Sequence, residues 1–159
     1  MRQPARIGLI VATLVVAIDQ IFKINMVDYM AAYPYGIEVT SFFRLVMVWN
    51  SGVSFGMFSG GEATRWALVG LSSVISIVLL IWLFRASHRF LGAGLGLILG
   101  GAIGNVIDRI HFGRVADFFD FDLYFMRWPA FNIADIAIVC GVAILLVDSL
   151  FFEDKSTKI

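Results

Sequence analysis

Four long apolar stretches punctuate this chain, separated by two longer segments of mixed character and one short polar break. Trp66 to Phe84 carries no charged residue, and neither does the glycine-rich stretch Leu91 to Ile107. Ile7 to Ile24 is apolar apart from Asp19, Gln20 and Lys23 near its end. Phe131 to Phe152 is interrupted only by Asn132, Asp135, Asp148 and Ser149. A helix crossing the roughly 30 Å hydrocarbon layer needs about 20 mostly apolar residues. The pattern therefore predicts one integral membrane domain, with transmembrane helices near 7–24, 66–84, 91–107 and 132–152. The long segments, 25–65 and 108–131, are too aromatic and too poor in Pro and Ser to read as linkers. Phe42 to Trp49 is β-branched and aromatic enough for a strand, Asn50-Ser51-Gly52 supplies turn chemistry, and Val53 to Phe58 could return as a second strand. The expected fold class is an all-α membrane protein with a small β-sheet lying on one membrane face.

Composition agrees with a lipid solvent. Of 159 residues, 60% are apolar and only 15% charged, and mean hydropathy is +0.88, against about 45–50% apolar and about 25% charged in soluble domains. Such apolar content excludes disorder, and the single cysteine, Cys140, excludes an intrachain disulfide scaffold. Twelve basic and twelve acidic side chains leave no net charge, so there is no bulk basic field for nucleic acid. The first span, flanked by Arg2 and Arg6, superficially resembles a secretion signal. No convincing cleavage site directly follows it, Ala31-Ala32 being a weak candidate, and Asp19 interrupts it, so an uncleaved span is expected. Lys and Arg are densest in the N-terminal tail (Arg2, Arg6), the short loop between spans two and three (Arg85, Arg89) and the C-terminal tail (Lys155, Lys158). By the positive-inside rule these lie in the cytoplasm and the two long segments lie outside.

Under that topology the polar residues share one depth. Asp19 lies roughly 18 Å along its helix from Ile7, at about 1.5 Å per residue. Span three rises to Asn105, Asp108 and Arg109; span four begins with Asn132 and Asp135; Asp117 lies in the connection between them. Gly92, Gly96, Gly100 and Gly104 recur every fourth residue and form a stripe that lets a neighbouring helix approach closely; Asp108 continues it by one turn. Ionisable groups in a span are costly and usually functional. Asp19 and Lys23 have the i,i+4 spacing of a helical ion pair, and Asp108 beside Arg109 suits a supporting ion pair. Asp148, near the other membrane surface, reads as a helix-end charge. In 115–125, Asp120, Asp122 and Tyr124 alternate with Phe119, Phe121, Leu123 and Phe125, so an extended chain would turn the even positions to water and leave Asp117 on the apolar face. Two carboxyls in a poorly solvated place cannot easily both ionise and come to share a proton. That arrangement suits peptide hydrolysis, with one carboxylate taking a proton from water and the protonated partner serving the scissile carbonyl and leaving amine. Spacing alone does not pair Asp117 with Asp135, and an ion-pair cluster that fixes helix packing stands as the alternative.

Other chemistries are weaker. Gly52-Val53-Ser54-Phe55-Gly56 matches the nucleophile-elbow pattern but lacks the α/β context that motif needs. A Ser–Lys pair would have to use Lys23, which already has Asp19 within reach. His88 and His111 show no ligand spacing and Cys140 lies in a span, so neither a metal nor a cofactor is expected. No strand feeds a glycine-rich phosphate loop. A proton relay would distribute acids through the membrane rather than gather them on one side; a non-catalytic assembly factor built on the glycine stripe would tolerate loss of Asp117 and Asp135.

Five blocks then resemble a known family. Asp19-Gln20-Ile21-Phe22-Lys23 resembles Asp-Gln-x-x-Lys; Asn50-Ser51-Gly52 with Phe55-Gly56 resembles Asn-x-Gly-x-x-Phe; Gly100 to Arg109 resembles Gly-Gly-x-x-Gly-Asn-x-x-Asp-Arg; Val115-Ala116-Asp117-Phe118 resembles Val-x-Asp-Phe; and Phe131 to Asp135 resembles Phe-Asn-x-Ala-Asp. In this order, across essentially the whole chain, they resemble the bacterial lipoprotein signal peptidases (signal peptidase II). The resemblance implies an aspartic endopeptidase of the bacterial inner membrane, active near its periplasmic face, that cuts prolipoproteins just before a diacylglyceryl-modified cysteine. It implies Asp117 and Asp135 as the catalytic pair and Asp19, Lys23, Asn50, Gly52, Asn105, Asp108, Arg109 and Asn132 as residues lining or supporting the site. It implies no cofactor, contact with membrane lipids, and binding of the cyclic peptide antibiotic globomycin. Trp49, where Tyr or Arg is frequent, and Val53-Ser54, where Ala-Ala is usual, depart from the pattern in the outer segment and bear on substrate or inhibitor preference rather than chemistry. A sheet formed around 42–58 could also grip an extended substrate by strand pairing.

Overall fold

The computed structural model describes residues 2–52 and 61–152. Its elements run α1 (Gln3–Met30), β1 (Ile37–Glu38), β2 (Phe43–Asn50), α2 (Glu62–Arg85), α3 (Arg89–His111), β3 (Val115–Asp122), β4 (Arg127–Phe131) and α4 (Ile133–Phe152). All four helices are long and apolar enough to cross a membrane. Their outward faces are lined by exposed side chains such as Leu71, Val74, Ile77 and Val78 of α2 and Val139 and Leu150 of α4. Exposure of so much aliphatic surface suits lipid, where it carries no hydrophobic cost.

The central helix is α3. A Cβ added at Gly92 would lie 2.5 Å from the Pro4 carbonyl oxygen, one at Gly100 would lie 2.8 Å from that of Ala12, and one at Gly104 would lie 2.5 Å from Asp19 Oδ2. The four-residue stripe is therefore the seat of α1, which offers its own small residues Gly8 and Ala12 in return. Gly94 and Gly101, on the neighbouring face, meet Ile144 and Ile138 of α4 at 2.5 and 2.7 Å on the same measure. Leu79 and Leu83 of α2 complete the core with Leu91, Leu95 and Leu99 of α3.

α1 runs beyond the span expected to stop at Ile24. No breaker follows that residue, and the helix continues to Met30, just short of Pro34. The extra turns have a purpose: Met26 and Met30 pack with Phe118, Ile37, Leu45 and Met47, and Phe22 stacks on Phe118 with ring centroids 5.7 Å apart. The sheet thus sits on the protruding end of α1.

The four strands form one antiparallel sheet in the order β1-β2-β3-β4. Segment 42–49 is a strand as its composition implies, but its partners are β3, with Phe43 opposite Phe121 and Val48 opposite Asp117, and the short β1. The return strand expected at 53–58 lies outside the described residues, as do Val53-Ser54 and Phe55-Gly56 of the motif blocks. Alternation holds only partly in β3. Asp122 is exposed, but Asp120 is buried, with Arg44 bonding its Oδ2 at 2.6 and 3.0 Å and Arg127 lying 3.6 Å from its Oδ1. Water does not bathe the second face; two arginines occupy it. At the far end of the bundle, Asp148 is more than a helix-end charge, because His88 Nε2 lies 3.0 Å from its Oδ1 while His88 Nδ1 accepts the Leu91 N–H as the N-cap of α3.

Candidate active site

Four elements deliver polar groups to one place. After α3 ends, Gly113 takes φ +77°, a left-handed turn that glycine adopts without strain, and β3 starts two residues later. Asp117 is thereby set in the third position of β3, only 2% exposed. Asn132 precedes α4 and caps it: its Oδ1 accepts the Asp135 N–H at 3.1 Å, while Asp135 Oδ2 accepts the Asn132 N–H at 3.2 Å. This reciprocal capping box fixes Asp135 in the first turn of α4. A second orphan donor of that turn, the Ala134 N–H, is taken by Asp19 Oδ1 of α1 at 2.9 Å.

Three asparagines bracket the two aspartates. Asn50, at the end of β2, donates to Asp117 Oδ2 at 3.0 Å, and Asn132 donates to Asp117 Oδ1 at 2.6 Å. Asn105 of α3 donates to Asp135 Oδ1 at 2.9 Å. Each of the four carboxyl oxygens thus accepts one bond, and Asn132 touches both aspartates. Burial and the negative charge of Asp135 raise the Asp117 carboxyl from an ordinary 3.8 to about 7, against the opposing pull of the Asn50 and Asn132 hydrogen bonds. Arg109 donates to the Asn105 carbonyl and to the Gly52 carbonyl, both at 3.2 Å, and Gly52 returns its N–H to Asn50 Oδ1 at 3.1 Å.

Behind this layer lies a buried ion cluster. Lys23 Nζ is 2.9 Å from Asp19 Oδ2, 2.9 Å from Asp108 Oδ2 and 3.0 Å from Asn105 Oδ1. The i,i+4 pair of Asp19 and Lys23 is present. Asp108, however, finds its ion partner in Lys23 rather than Arg109, because successive helix residues do not face each other; its Oδ2 also accepts the Ala116 N–H at 3.1 Å, tying β3 to α3.

The aspartates open into a cavity of about 550 Å³. One end holds Asn50, Asn105, Arg109, Asp117 and Asp135. The other is apolar, with Trp128 to Phe131 of β4 facing Ile136, Val139 and Cys140 of α4. The edge strand β4 contributes Trp128 to Phe131 to the lining, while β2 and β3 contribute Asn50, Val115 and Asp117. Among the described residues, no group of three or more His, Cys, Asp or Glu side chains is arranged to hold a metal. Reasoning from residue types missed the apolar wall, since Trp128, Ile136 and Val139 carry no chemical signature. It also passed over Gln20, whose Nε2 bridges Asp108 Oδ1 at 2.9 Å and the Gly104 carbonyl at 3.2 Å; its place beside Asp19 in the motif was the available clue.

A family model described as Signal peptidase (SPase) II matches residues 11–151. The lipoprotein signal peptidase of Rhodopseudomonas palustris strain TIE-1 is 42% identical over 153 residues, 92% of this chain and 93% of that protein. Its counterpart in Paraburkholderia phytofirmans is 44% identical over 142 residues, covering 88% and 82%. A solved bacterial membrane enzyme, determined by the in meso method at 2.3 Å resolution, superposes with a TM-score of 0.77 at 27% identity, covering 96% of this chain and 93% of that one.

Proposed function

This chain belongs to the signal peptidase II family, a membrane protease that removes lipoprotein signal peptides, and from that premise we propose that Asp117 and Asp135 are its catalytic pair. The observation that carries the reading is their convergence on one cavity with Asn132 hydrogen-bonded to both. At neutral pH Asp117, raised to about 7, retains its proton through much of its population. It is the acid that hydrogen-bonds the scissile carbonyl and later protonates the leaving amine. Asp135 receives two N–H donors and stands in the first turn of α4, where negative charge is favoured. It is the base that removes a proton from the attacking water. Asn50, Gly52, Asn105, Arg109 and Asn132 hold this geometry, and Asp19, Lys23 and Asp108 support it from behind.

The substrate class is the one the family implies, and the cavity's two ends suit it. A peptide bond meets the polar end; the apolar wall of α4 and β4 receives the signal helix and acyl chains of a diacylglyceryl-prolipoprotein arriving through the bilayer. The cut falls just before the lipidated cysteine. The enzyme works in the bacterial inner membrane with its site near the periplasmic face, and globomycin-type cyclic peptides occupy the same cavity.

Purified protein in detergent with a diacylated prolipoprotein tests the reading. Cleavage before the lipidated cysteine is expected, and Asp117→Asn and Asp135→Asn should each lower turnover by about a thousandfold or more while keeping the helical fold by circular dichroism. Normal turnover in both folded variants would remove the dyad.

A further inference from the structure

Each asparagine around the dyad has two faces, one an acceptor and one a donor, and each is turned by a group that can only donate. Asn50 Oδ1 takes the Gly52 N–H at 3.1 Å, which leaves Nδ2 for Asp117. Asn132 Oδ1 takes the Asp135 N–H at 3.1 Å, which again leaves Nδ2 for Asp117. Asn105 Oδ1 takes Lys23 Nζ at 3.0 Å, which leaves Nδ2 for Asp135 Oδ1 at 2.9 Å. The first two locks are backbone groups. The third is an ammonium, with three protons and no lone pair, and its three short contacts are Asp19, Asp108 and Asn105. Lys23 is 0% exposed and does not line the cavity, so it cannot touch substrate.

We propose that Lys23 is a positioning residue for peptide hydrolysis: by holding Asn105 Oδ1 it turns the amide so that Nδ2 donates to Asp135, and so keeps Asp135 the proton acceptor of the pair. The proposal rests on the dyad reading above. Charge balance for Asp19 and Asp108 would by itself require no contact with Asn105. Without the ammonium, the Asn105 amide keeps only a 3.3 Å bond from Asn132 Nδ2, whose shorter bond is to Asp117. A reversed amide would aim its oxygen at Asp135 Oδ1. Two acceptors then face each other, and the contact is relieved only if the carboxyl holds a proton. A protonated Asp135 cannot take one from water. The groups that bear on this balance are Asn105 and Arg109 of α3, Asn132 at the cap of α4 and Asp117 of β3 around Asp135, with Asp19 and Gln20 of α1 and Asp108 of α3 around Lys23.

The test uses an Asp19→Asn background, which compensates the lost charge and keeps an acceptor for the Ala134 N–H. Lys23→Met and Lys23→Gln are made in it, and kcat, KM and thermal unfolding are followed in detergent from pH 5 to 9 with diacylated prolipoprotein. Lys23→Met should lower kcat about tenfold or more at neutral pH, leave KM within about twofold, and move the acid limb of the kcat profile up by about one pH unit. Lys23→Gln, which retains an N–H donor, should keep that limb near its place in the parent. Asn105→Ala leaves the ion cluster intact and should move the limb in the same direction, which carries the test if the lysine variants do not fold. An unmoved limb in folded Lys23→Met, or in Asn105→Ala, overturns the proposal and reduces Lys23 to charge balance. If Asp117→Asn and Asp135→Asn both cleave normally, the dyad reading itself has failed; if they are inactive and the limb stays, only the lock has.

Discussion

Replacing Asp117 by asparagine should inactivate the enzyme and yet stabilise it in alkaline solution. The Asp117 carboxyl titrates at about 7 in the folded protein, against 3.8 for an ordinary aspartic acid. Between those values the native chain binds one more proton than the unfolded chain, so stability falls as pH rises through the window and is constant above it. A difference of about 3 units at 1.36 kcal/mol each amounts to about 4 kcal/mol lost by pH 7. Asp117→Asn abolishes that titration. It also introduces a mismatch, because Asn50 and Asn132 both donate to Asp117 and an amide has only one oxygen to accept; the donor left facing an NH₂ group costs about 1–3 kcal/mol. The variant should therefore exceed the wild type by about 1–3 kcal/mol at pH 8; near pH 4.5, where the titration has cost the wild type only about 1 kcal/mol, it should fall below it by up to about 2 kcal/mol. For a chain of this size that is about 5 °C at the alkaline end and about half as much, in the opposite sense, at the acid end. Thermal unfolding of both proteins in the same detergent, from pH 4.5 to 8.5, reads it directly. The difference in Tm should change sign, climb until about pH 7 and then level off. A difference that stays constant across the range, or shrinks as pH rises, would refute the placement of a buried, destabilised carboxyl at this position.

Two further outcomes follow from the packing and the cavity. Gly96→Ala would drive its Cβ to 2.8 Å from the Gly8 Cα, backbone against backbone, and should cost about 1–3 kcal/mol in thermal unfolding, whereas Gly70→Ala, which meets nothing within 4 Å, should be neutral or stabilising by up to about 1 kcal/mol. Val139→Trp, on the apolar wall at a position 67% exposed, should raise KM severalfold with kcat nearly unchanged, because it obstructs binding without touching the polar end.

How much of this was legible depends on the range over which each feature is written. The four helices were readable because uninterrupted apolar runs are local, and the glycine stripe was readable as a packing surface. Its partner could have been inferred too, since Gly8 and Ala12 repeat the same four-residue spacing on α1. The strand at 42–49 announced itself by composition, but its pairing with 115–122 joins segments far apart along the chain, and local pattern carries no information on pairing at that separation. Parity failed at Asp120 because alternation presumes one wet face, and Arg44 and Arg127 cover that face here. Adjacency suggested Arg109 as the partner of Asp108, but the α-helix turns neighbouring side chains apart, and only the docking of α1 brought Lys23 to it.

The placement of the cations explains why asparagine surrounds the pair. An arginine or lysine hydrogen-bonded to Asp117 would favour its charged form and draw the carboxyl down, removing the proton that the proposed acid must hold at neutral pH. Amides hold a carboxyl in place with far less bias toward its anion, and Asp117 takes both its bonds from amides. The two nearest cations are committed elsewhere: Lys23 to Asp19, Asp108 and Asn105, and Arg109 to the carbonyls of Asn105 and Gly52. Lys23 touches the pair only through Asn105, and its direct pull on Asp117 through space is weaker than those of the two amides; Arg109 likewise bears on the pair through space. The fold can thus bury several charges side by side, satisfy them, and leave one carboxyl able to hold its proton near neutral pH, as the proposed acid requires.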